Sequence, residues 1–182
     1  MRKFERGELL KSDLKYSGVI VDLEVDQVRI AGKETVREVV RHPGGVVILA
    51  EVGEGRIPFV RQHRYPMNRD LLELPAGKRD PGETPVSSAA RELEEETGLR
   101  PLFLEHVSSY YTSPGFCDEL LHFYYSNQLE ETARTPEEDE DLEIEYYTLE
   151  EALEMTTKGE IVDGKTITAL FWLQNRKNSF KS

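Results

Sequence analysis

One segment in the middle of the chain combines clear signals for the start and the end of a helix. Thr84 can cap a helix by accepting a hydrogen bond from a backbone N–H, and Pro85 suits the first helical position, where its missing N–H costs nothing. Gly98 marks the end, because glycine readily adopts the left-handed backbone conformation that commonly closes a helix. We therefore predict a helix between Thr84 and Gly98.

The predicted helix groups its acidic side chains. At about 100° per residue, Glu92, Glu95 and Glu96 fall on one face. A neighbouring face, suited to burial, carries the apolar residues Val86, Ala89 and Leu93. Like charges at this spacing destabilise an isolated helix by about 0.2–0.5 kcal/mol per pair. The glutamates form either a solvated acidic surface or a divalent-cation site, since carboxylate oxygens are hard ligands that magnesium, manganese and calcium prefer.

The segment from Gly77 to Leu99 resembles the Nudix box. That motif sets a glycine, a glutamate, an Arg-Glu-Leu triplet, a Glu-Glu pair and a closing glycine at fixed spacing. The matching residues are Gly77, Glu83, Arg91, Glu92, Leu93, Glu95, Glu96, Gly98 and Leu99. Nudix hydrolases cleave a nucleoside diphosphate linked to another moiety with the help of a divalent metal. The resemblance therefore implies metal-dependent hydrolysis of a pyrophosphate.

The resemblance also implies roles within the box. The residues that it places at the metal are Glu92 and Glu96 as main ligands, Glu95 in an assisting catalytic role, and Ala76, directly before the box. Arg91 would pair with Glu83 and brace the loop against the helix. An ordinary surface ion pair is the alternative for these two residues. We expect Mg²⁺ as the cofactor, with Mn²⁺ as an alternative.

A second segment, residues 111–119, reads Tyr-Thr-Ser-Pro-Gly-Phe-Cys-Asp-Glu. It resembles the Ser-Pro-Gly-Phe segment of ADP-ribose pyrophosphatases and related nucleotide-sugar hydrolases. Pro114-Gly115 is a turn signal that would place Phe116 beside a cleft, where an aromatic ring packs against a ribose or base. A plain surface turn would read much the same. Within this segment the predicted substrate-binding residues are Gly115, Phe116 and Glu119.

A third segment, residues 136–143, is rich in carboxylates, which composition alone would interpret as a solvated loop. Loops of ADP-ribose pyrophosphatases carry a similar Glu-x-Glu pair, which Glu138 and Glu140 match. The resemblance implies that Glu138 orients or deprotonates the attacking water and that Glu140 adds a metal ligand. Glu137 or Asp139 could take either place.

Charge composition argues against nucleic acid as a partner. The chain has 23 basic and 35 acidic residues, a formal net charge of −12, whereas nucleic-acid binders need a positive surface. An acidic protein that binds an anionic substrate needs metal ions and a few local arginines. Family members carry an Arg-Gln-x-Arg stretch near the substrate phosphates, similar to Arg61 to Arg64 here. We predict that Arg64 and Arg37 bind substrate, and we expect Arg61 to be solvated.

The remaining composition suggests a cytoplasmic protein. Cys117 is the one cysteine, so an intrachain disulfide cannot form and an oxidising compartment is not implied. The N-terminus lacks the apolar core of a signal peptide, and no apolar run approaches the ~20 residues of a membrane span. We therefore expect no membrane partner.

Hydrophobic patterning predicts an α/β fold. Strands are expected at 19–25, 27–30, 35–41, 46–50, 57–60, 103–111, 120–126 and 144–148, with 57–60 as the partner of 46–50 across a turn at 53–55. Helices are expected at 149–156 and 166–176. This order suits a mixed sheet between helical layers. The resemblance implies the Nudix α/β/α sandwich plus an N-terminal antiparallel β arm.

The resemblance further implies a division of the chain. Residues 1–43 would form the arm, which pairs across a homodimer and helps to build the partner's base pocket, and residues 44–182 would form the Nudix hydrolase domain. Tyr16, Phe4 or another N-terminal residue would then contact the base, and no spacing identifies which one. The alternative is a short sheet folded onto its own subunit.

Together these resemblances imply a homodimeric, magnesium-dependent hydrolase of nucleoside diphosphate sugars. ADP-ribose is the leading substrate, with AMP and ribose 5-phosphate as products. One alternative is a hydrolase of GDP or UDP sugars; another, a nucleoside triphosphate pyrophosphatase, is disfavoured by the sequence Pro114-Gly115-Phe116. A third alternative is a binding module that senses a nucleotide metabolite without cleaving it. Such modules usually lack box glutamates, and this chain has them all.

Overall fold

The computed structural model describes residues 7–134 and 142–179. The chain divides into two compact units. The first comprises Met1–Gly44 and Tyr110–Leu120, and the second comprises Gly45–Ser109 and Leu121–Ser182. None of the helices in the described part of the chain combines the length and apolar composition that crossing a membrane requires.

The first unit contains a three-stranded antiparallel sheet, in the order β1-β2-β3. Its strands are β1 (Glu8–Ser17), β2 (Asp22–Ile30) and β3 (Lys33–Arg41). Ala31 and Gly32 join β2 to β3, and both have positive φ angles, of 51° and 75°. Two consecutive left-handed residues make the hairpin turn that matches the natural twist of antiparallel strands.

The sequence patterning missed one strand of this sheet and gave wrong bounds for another. β1 was not predicted, because its apolar residues do not alternate and remain largely exposed. β2 is also one strand that begins at Asp22, rather than two strands that begin at Val19 and break at Asp26. Asp26 interrupts the apolar pattern but not the backbone pairing, since it lies opposite Ser12 on β1 and Arg37 on β3.

The central sheet of the second unit has the order β7-β4-β10-β9. Its strands are β4 (Gly45–Ala50), β7 (Ala76–Lys78), β9 (Glu105–Tyr111) and β10 (Leu120–Ser126). β4 runs parallel to β10 and antiparallel to β7, which gives the mixed sheet that we predicted. All residues of β4 are buried, as expected for a strand covered on both faces.

A second sheet has the order β12-β5-β6 and is antiparallel. Its strands are β5 (Arg56–Arg64), β6 (Arg69–Glu73) and β12 (Leu142–Thr148). The prediction that β5 pairs with β4 was therefore wrong, although a short 3₁₀ turn does form at Gly53–Gly55. β4 already has hydrogen-bonded neighbours on both edges, so β5 pairs elsewhere. A further small ladder joins β8 (Leu99–Pro101) to β11 (Leu129–Glu131).

Helices cover both faces of the central sheet. They are α1 (Pro85–Thr97), α2 (Leu149–Lys158) and α3 (Gly164–Ser179). On one face, Ala89 and Leu93 of α1 join a buried cluster with Val46 and Ile48 of β4. On the other face, the Trp172 ring of α3 lies 5.3 Å from the ring of Phe123 and the same distance from that of Tyr125. This is the predicted α/β/α arrangement.

The ends of α1 follow the sequence signals closely. The Thr84 side chain accepts a hydrogen bond from the Ser87 backbone N–H, and the Ser87 side chain accepts one from the Thr84 N–H. Gly98 ends the helix with φ of 71°. The prediction that Val86 belongs to the buried face was wrong. Val86 lies in the first turn of the helix and is 45% exposed. Ser88 is buried there instead.

Candidate active site

The buried stripe of α1 contains two glutamates. Ala89, Glu92, Leu93 and Glu96 follow the i, i+3, i+4, i+7 spacing that places residues on one face of a helix. Glu92 is 8% exposed and Glu96 is 2% exposed. The solvated acidic surface is thus ruled out for these two residues. Charged groups are buried in proteins when partners or metal ions offset the loss of hydration.

Glu92 lies directly against the backbone of β7. A Cβ atom built on Gly77 would fall 2.0–2.3 Å from the carboxyl carbon and both oxygens of Glu92. Real Cβ atoms do not approach other atoms so closely, so the carboxylate occupies the space that any other residue's side chain would need. The first glycine of the box is therefore a steric requirement of its second glutamate.

Glu96 is held by the same strand. The backbone N–H of Ala76 donates a hydrogen bond to Glu96 Oε2 at 3.2 Å. Ala76 pairs with Val47 on the opposite side of β7, so its position is fixed by the central sheet. Ala76, Glu92 and Glu96, all predicted at the metal, are thus brought together by the packing of α1 on β7.

Arg91 contacts several oxygen atoms around the loop. Its Nε and Nη2 donate to the two carboxylate oxygens of Glu83 at 3.1 and 3.2 Å, and its Nη1 donates to Glu95 at 2.8 Å. Its Nη2 also lies 3.0 Å from Glu92 Oε1. The Glu83 carboxylate accepts a further hydrogen bond from the Ser88 hydroxyl at 2.6 Å. Arg91 therefore connects the loop to both the buried Glu92 and the half-buried Glu95 of α1.

These contacts shift the titration of the pair. The hydrogen bonds from Arg91 and then Ser88 lower the pKa of Glu83 to about 2. Burial opposes the charge on Arg91, but the hydrogen bonds from Glu83 and Glu95 outweigh it and raise the pKa of the guanidinium. Both groups are therefore fully charged at neutral pH.

The donor atoms fit a hard divalent cation only in part. Glu92, in the space left free at Gly77, and Glu96, on the Ala76 N–H, supply oxygen donors of the kind that magnesium or manganese requires. Across residues 7–134 and 142–179, however, no three His, Cys, Asp or Glu side chains are grouped closely enough to hold a metal. A complete ligand set would also draw on the acidic segment, where the predicted Glu138 and Glu140 lie outside the described residues.

In the first unit, the predicted substrate segment is a turn joined to β3. The carbonyl of Ser113 accepts hydrogen bonds from the N–H groups of Phe116 and Cys117 at 3.1 and 2.9 Å. Val40 of β3 donates to the Phe116 carbonyl at 2.8 Å and accepts from the Asp118 N–H at 3.1 Å. The Phe116 side chain is left 58% exposed, so the turn presents an accessible aromatic ring.

The other predicted residues of the first unit lie near this turn or on β3. Gly115 lies in open space, because nothing lies within 4 Å of a Cβ built on it. Glu119 accepts a hydrogen bond from the Thr112 hydroxyl at 2.6 Å. Arg37 is exposed on β3, and its Nη1 donates to the Val36 carbonyl at 2.8 Å. Sequence reasoning missed Asp118, whose carboxylate binds the His42 N–H at 2.9 Å and Arg41 at 3.1 Å and so fixes the turn.

Arg64 and Arg61 have different surroundings. Arg61 forms a partly exposed ion pair with Glu145. Arg64 instead binds Glu73, a glutamate that is 2% exposed and that Lys165 also contacts. Sequence reasoning missed Glu73 and Lys165. The available signal was a glutamate inside the apolar run Leu71-Leu72-Glu73-Leu74, since a buried polar residue is more informative than a buried apolar one.

A cavity of about 480 Å³ lies elsewhere in the second unit. Its lining includes Glu51 and Val52 after β4, Leu99 of β8 and Leu129 of β11. None of the predicted site residues that the structure describes borders this cavity. We therefore place the candidate site at α1 and β7 rather than in the cavity.

Glu83→Gln should reduce stability in a pH-dependent way. Because the folded pKa of about 2 is below the ordinary value of 4.5, the ionised carboxylate stabilises the fold fully above that ordinary value, and the effect is lost as pH falls toward 2. The difference in free energy of unfolding between wild type and Glu83→Gln, measured in urea, should therefore shrink as pH falls from about 5 to about 2. Ser88→Ala should show the same trend with a smaller amplitude, and a pH-independent difference would contradict this assignment.

Comparison with known proteins agrees with this geometry. The NUDIX domain matches residues 41–170. The ADP-ribose pyrophosphatase of Bacillus subtilis (strain 168) is 42% identical over 177 residues, which cover 96% of this chain and 95% of that protein. The methanol dehydrogenase activator of Bacillus methanolicus is 41% identical over 177 residues, which cover 96% of each chain.

The fold also has a solved counterpart. A crystal structure of an ADP compounds hydrolase aligns with a TM-score of 0.86 and 17% sequence identity, covering 98% of both chains. The predicted Nudix α/β/α fold is thereby confirmed. The domain match spans most of the chain and includes the whole Nudix box, with Gly77 and the Glu92 carboxylate that lies against it. The chain therefore belongs to the Nudix family of hydrolases.

Proposed function

We propose that this protein is a magnesium-dependent hydrolase of nucleoside diphosphate sugars, with ADP-ribose as the preferred substrate and AMP and ribose 5-phosphate as products. The observation that carries the proposal is the pair of buried carboxylates, Glu92 against Gly77 and Glu96 on the Ala76 N–H. The choice of ADP-ribose is supported by the Bacillus subtilis pyrophosphatase, which is similar over nearly the full length of both chains. Mn²⁺ is the alternative cofactor.

The mechanism follows from the charge of the substrate. A pyrophosphate repels an approaching nucleophile; Glu92 and Glu96 would hold a divalent cation, which would supply the positive charge that offsets this repulsion. Arg91, fixed by Glu83, holds Glu92 and Glu95 in place. Glu138 accepts a proton from the attacking water. The water oxygen bonds to phosphorus, and the bond from that phosphorus to the bridging oxygen breaks.

The proposal also includes homodimerisation through the N-terminal sheet. Apolar side chains of β1 are exposed in the single chain, among them Leu9, Leu14 and Tyr16, which are 58–60% exposed. Exposed apolar surface of this kind is often covered by a partner. Phe4, a further candidate for contact with the base, lies outside the described residues. Sedimentation velocity measures the oligomeric state, and a monomer at micromolar concentration would contradict this part of the proposal.

A cytoplasmic location completes the proposal. A chain with Cys117 as its one cysteine cannot form an intrachain disulfide and so gains nothing from an oxidising compartment. Cell fractionation with an antibody against the protein tests this location.

A substrate panel tests the proposed activity. Product release from ADP-ribose, ADP-glucose, GDP-mannose, UDP-glucose and a nucleoside triphosphate is measured by chromatography, with magnesium and with chelator. We expect the highest kcat/KM for ADP-ribose and no turnover in chelator. Similar kcat/KM values for all the nucleotide sugars would show a broad nucleotide-sugar hydrolase and would contradict the preference for ADP-ribose. Tight binding without turnover would support a sensor and overturn the hydrolase.

Gly77→Ala should weaken metal binding. The new methyl group would overlap the Glu92 carboxylate and displace it, and mutations of residues that orient a metal ligand typically cost about 10–100-fold in metal affinity or activity. Mn²⁺ binding followed by electron paramagnetic resonance measures the affinity directly. Gly53→Ala is the matched control, because nothing lies within 4 Å of its added Cβ. Equal Mn²⁺ affinities in the two variants would contradict the claim that Gly77 leaves the space in which Glu92 binds the metal.

Glu138→Gln should reduce kcat more than it changes KM. Loss of a general base typically costs about 10²–10⁴-fold in rate, whereas a neutral amide of the same size preserves most binding contacts. Steady-state kinetics with ADP-ribose and magnesium measures both constants. Glu140→Gln tests the companion role, since loss of a metal ligand should raise the magnesium concentration needed for half-maximal rate. If kcat is unchanged in Glu138→Gln, the assignment of Glu138 as the general base is wrong, and another carboxylate of the segment takes that role.

A further inference from the structure

Arg64 is anchored along one edge of its guanidinium. Its Nε donates to Glu73 Oε1 and its Nη2 donates to Glu73 Oε2, both at 2.7 Å. This two-point contact fixes the plane of the guanidinium as well as its position. The Glu73 side chain is 2% exposed, while that of Arg64 is 36% exposed. The anchored edge is therefore buried, and part of the group still reaches solvent.

A second cation completes the anchor. Lys165, near the start of α3, contacts Glu73 Oε2 and lies 3.1 Å from Asp163 Oδ1. Asp163 Oδ2 in turn accepts hydrogen bonds from the Thr166 N–H at 3.0 Å and the Thr166 hydroxyl at 2.6 Å. The Thr166 hydroxyl oxygen also accepts from the Leu74 N–H, directly after Glu73, at 2.8 Å. Glu73 is thus held between β5 and α3.

The charges of this cluster shift the pKa values of its members. Burial alone would raise the pKa of Glu73, but the hydrogen bond from Arg64 and the charge of Lys165 outweigh it and hold the pKa below its usual value. The hydrogen bonds to Glu73 raise the pKa of Arg64, and the charges of Asp163 and Glu96 add to this effect. Glu73 lies three residues before Ala76, whose N–H binds Glu96, so its partner Arg64 lies near a carboxylate of the Nudix box.

A stability role alone does not account for this arrangement. Buried ion pairs lose hydration on folding, and well-packed apolar residues often stabilise a core as well or better. An arginine also has five N–H donors, of which the contact with Glu73 uses two. Among the residues that the structure describes, Nη1 of Arg64 has no hydrogen-bond partner. The unanchored edge is available for an anion.

We propose that Glu73 is a positioning residue for substrate binding. It holds Arg64 by one edge, with Lys165 fixing Glu73 from the other side, so that the free edge of Arg64 binds a phosphate oxygen of the substrate beside the metal-binding glutamates. This inference rests on the proposed hydrolase function. It adds that Glu73 and Lys165, which need not touch the substrate, set the affinity for its diphosphate.

Glu73→Gln tests the proposal by steady-state kinetics with ADP-ribose and magnesium. The amide accepts at only one atom, so the two-point contact is lost while the shape is kept. We expect KM to rise roughly 10- to 100-fold, the effect of one charged hydrogen-bonded contact, with kcat within about 3-fold of wild type. Glu145→Gln removes the partner of Arg61 on the same strand and is the matched control, with both constants expected to be unchanged.

Chemical rescue separates positioning from general stability. Arg64→Ala should lose affinity, and millimolar guanidinium should restore part of it, because Glu73 can hold the free ion where the side chain was. The double variant Arg64→Ala with Glu73→Gln should not respond. Rescue of both variants to the same degree would overturn the role of Glu73. Thermal unfolding of each variant, and binding of ADP-ribose by calorimetry in chelator, give readouts independent of turnover.

Two outcomes distinguish this inference from the proposed function. If wild type cleaves no nucleotide sugar, the proposed function fails. If wild type cleaves ADP-ribose and Glu73→Gln has an unchanged KM, the positioning role alone is wrong. Should Glu73→Gln not fold, Arg64→Lys keeps a cation on Glu73 but cannot make the two-point contact, so a normal KM in that variant would also overturn the inference.

Discussion

The packing of α1 on the central sheet determines the geometry of the whole site. Ala89 and Leu93 are buried against β4, and this contact directs the intervening residue Glu92 onto the neighbouring strand β7. Burying a leucine contributes roughly 1.5–3 kcal/mol, which fixes α1 on the sheet, while contacts with Arg91 and with the Ala76 N–H offset part of the lost hydration at the two carboxylates. The apolar contact between α1 and β4 therefore sets the position of the charged side chains on α1.

Arg91 complements this packing from the solvent side. Without it, the loop from β7 to α1 would place Glu83 beside Glu92 and Glu95 with like charges in close proximity. The guanidinium contacts all three, which balances part of the repulsion and ties the loop to the helix. The same principle recurs at Glu73, where Arg64 and Lys165 surround one buried carboxylate. In both places the charge of partly or fully buried carboxylates is balanced by cations that contact them directly.

Local signals in the sequence were sufficient for α1 and its motif. Capping at Thr84 and the left-handed end at Gly98 depend only on neighbouring residues, so the sequence determines them directly. Strand partners were harder to predict, because pairing depends on which sheet edges remain free. β5 illustrates this point, since its apolar pattern is correct but both edges of β4 are already occupied. Glu73 was missed because its partners come from β5 and α3, which are distant in sequence.

The contact between Gly77 and Glu92 also bears on how the motif can vary. The two residues are far apart in sequence but compete for the same few cubic ångströms, so neither position can change size independently. A larger residue at 77 is compatible only with a shorter or absent carboxylate at 92, and the loop between them must keep the length that brings β7 beside α1. The spacing of the box thus reflects a steric fit between the backbone of β7 and a side chain of α1, and variants in related proteins should lose the glycine and the glutamate together.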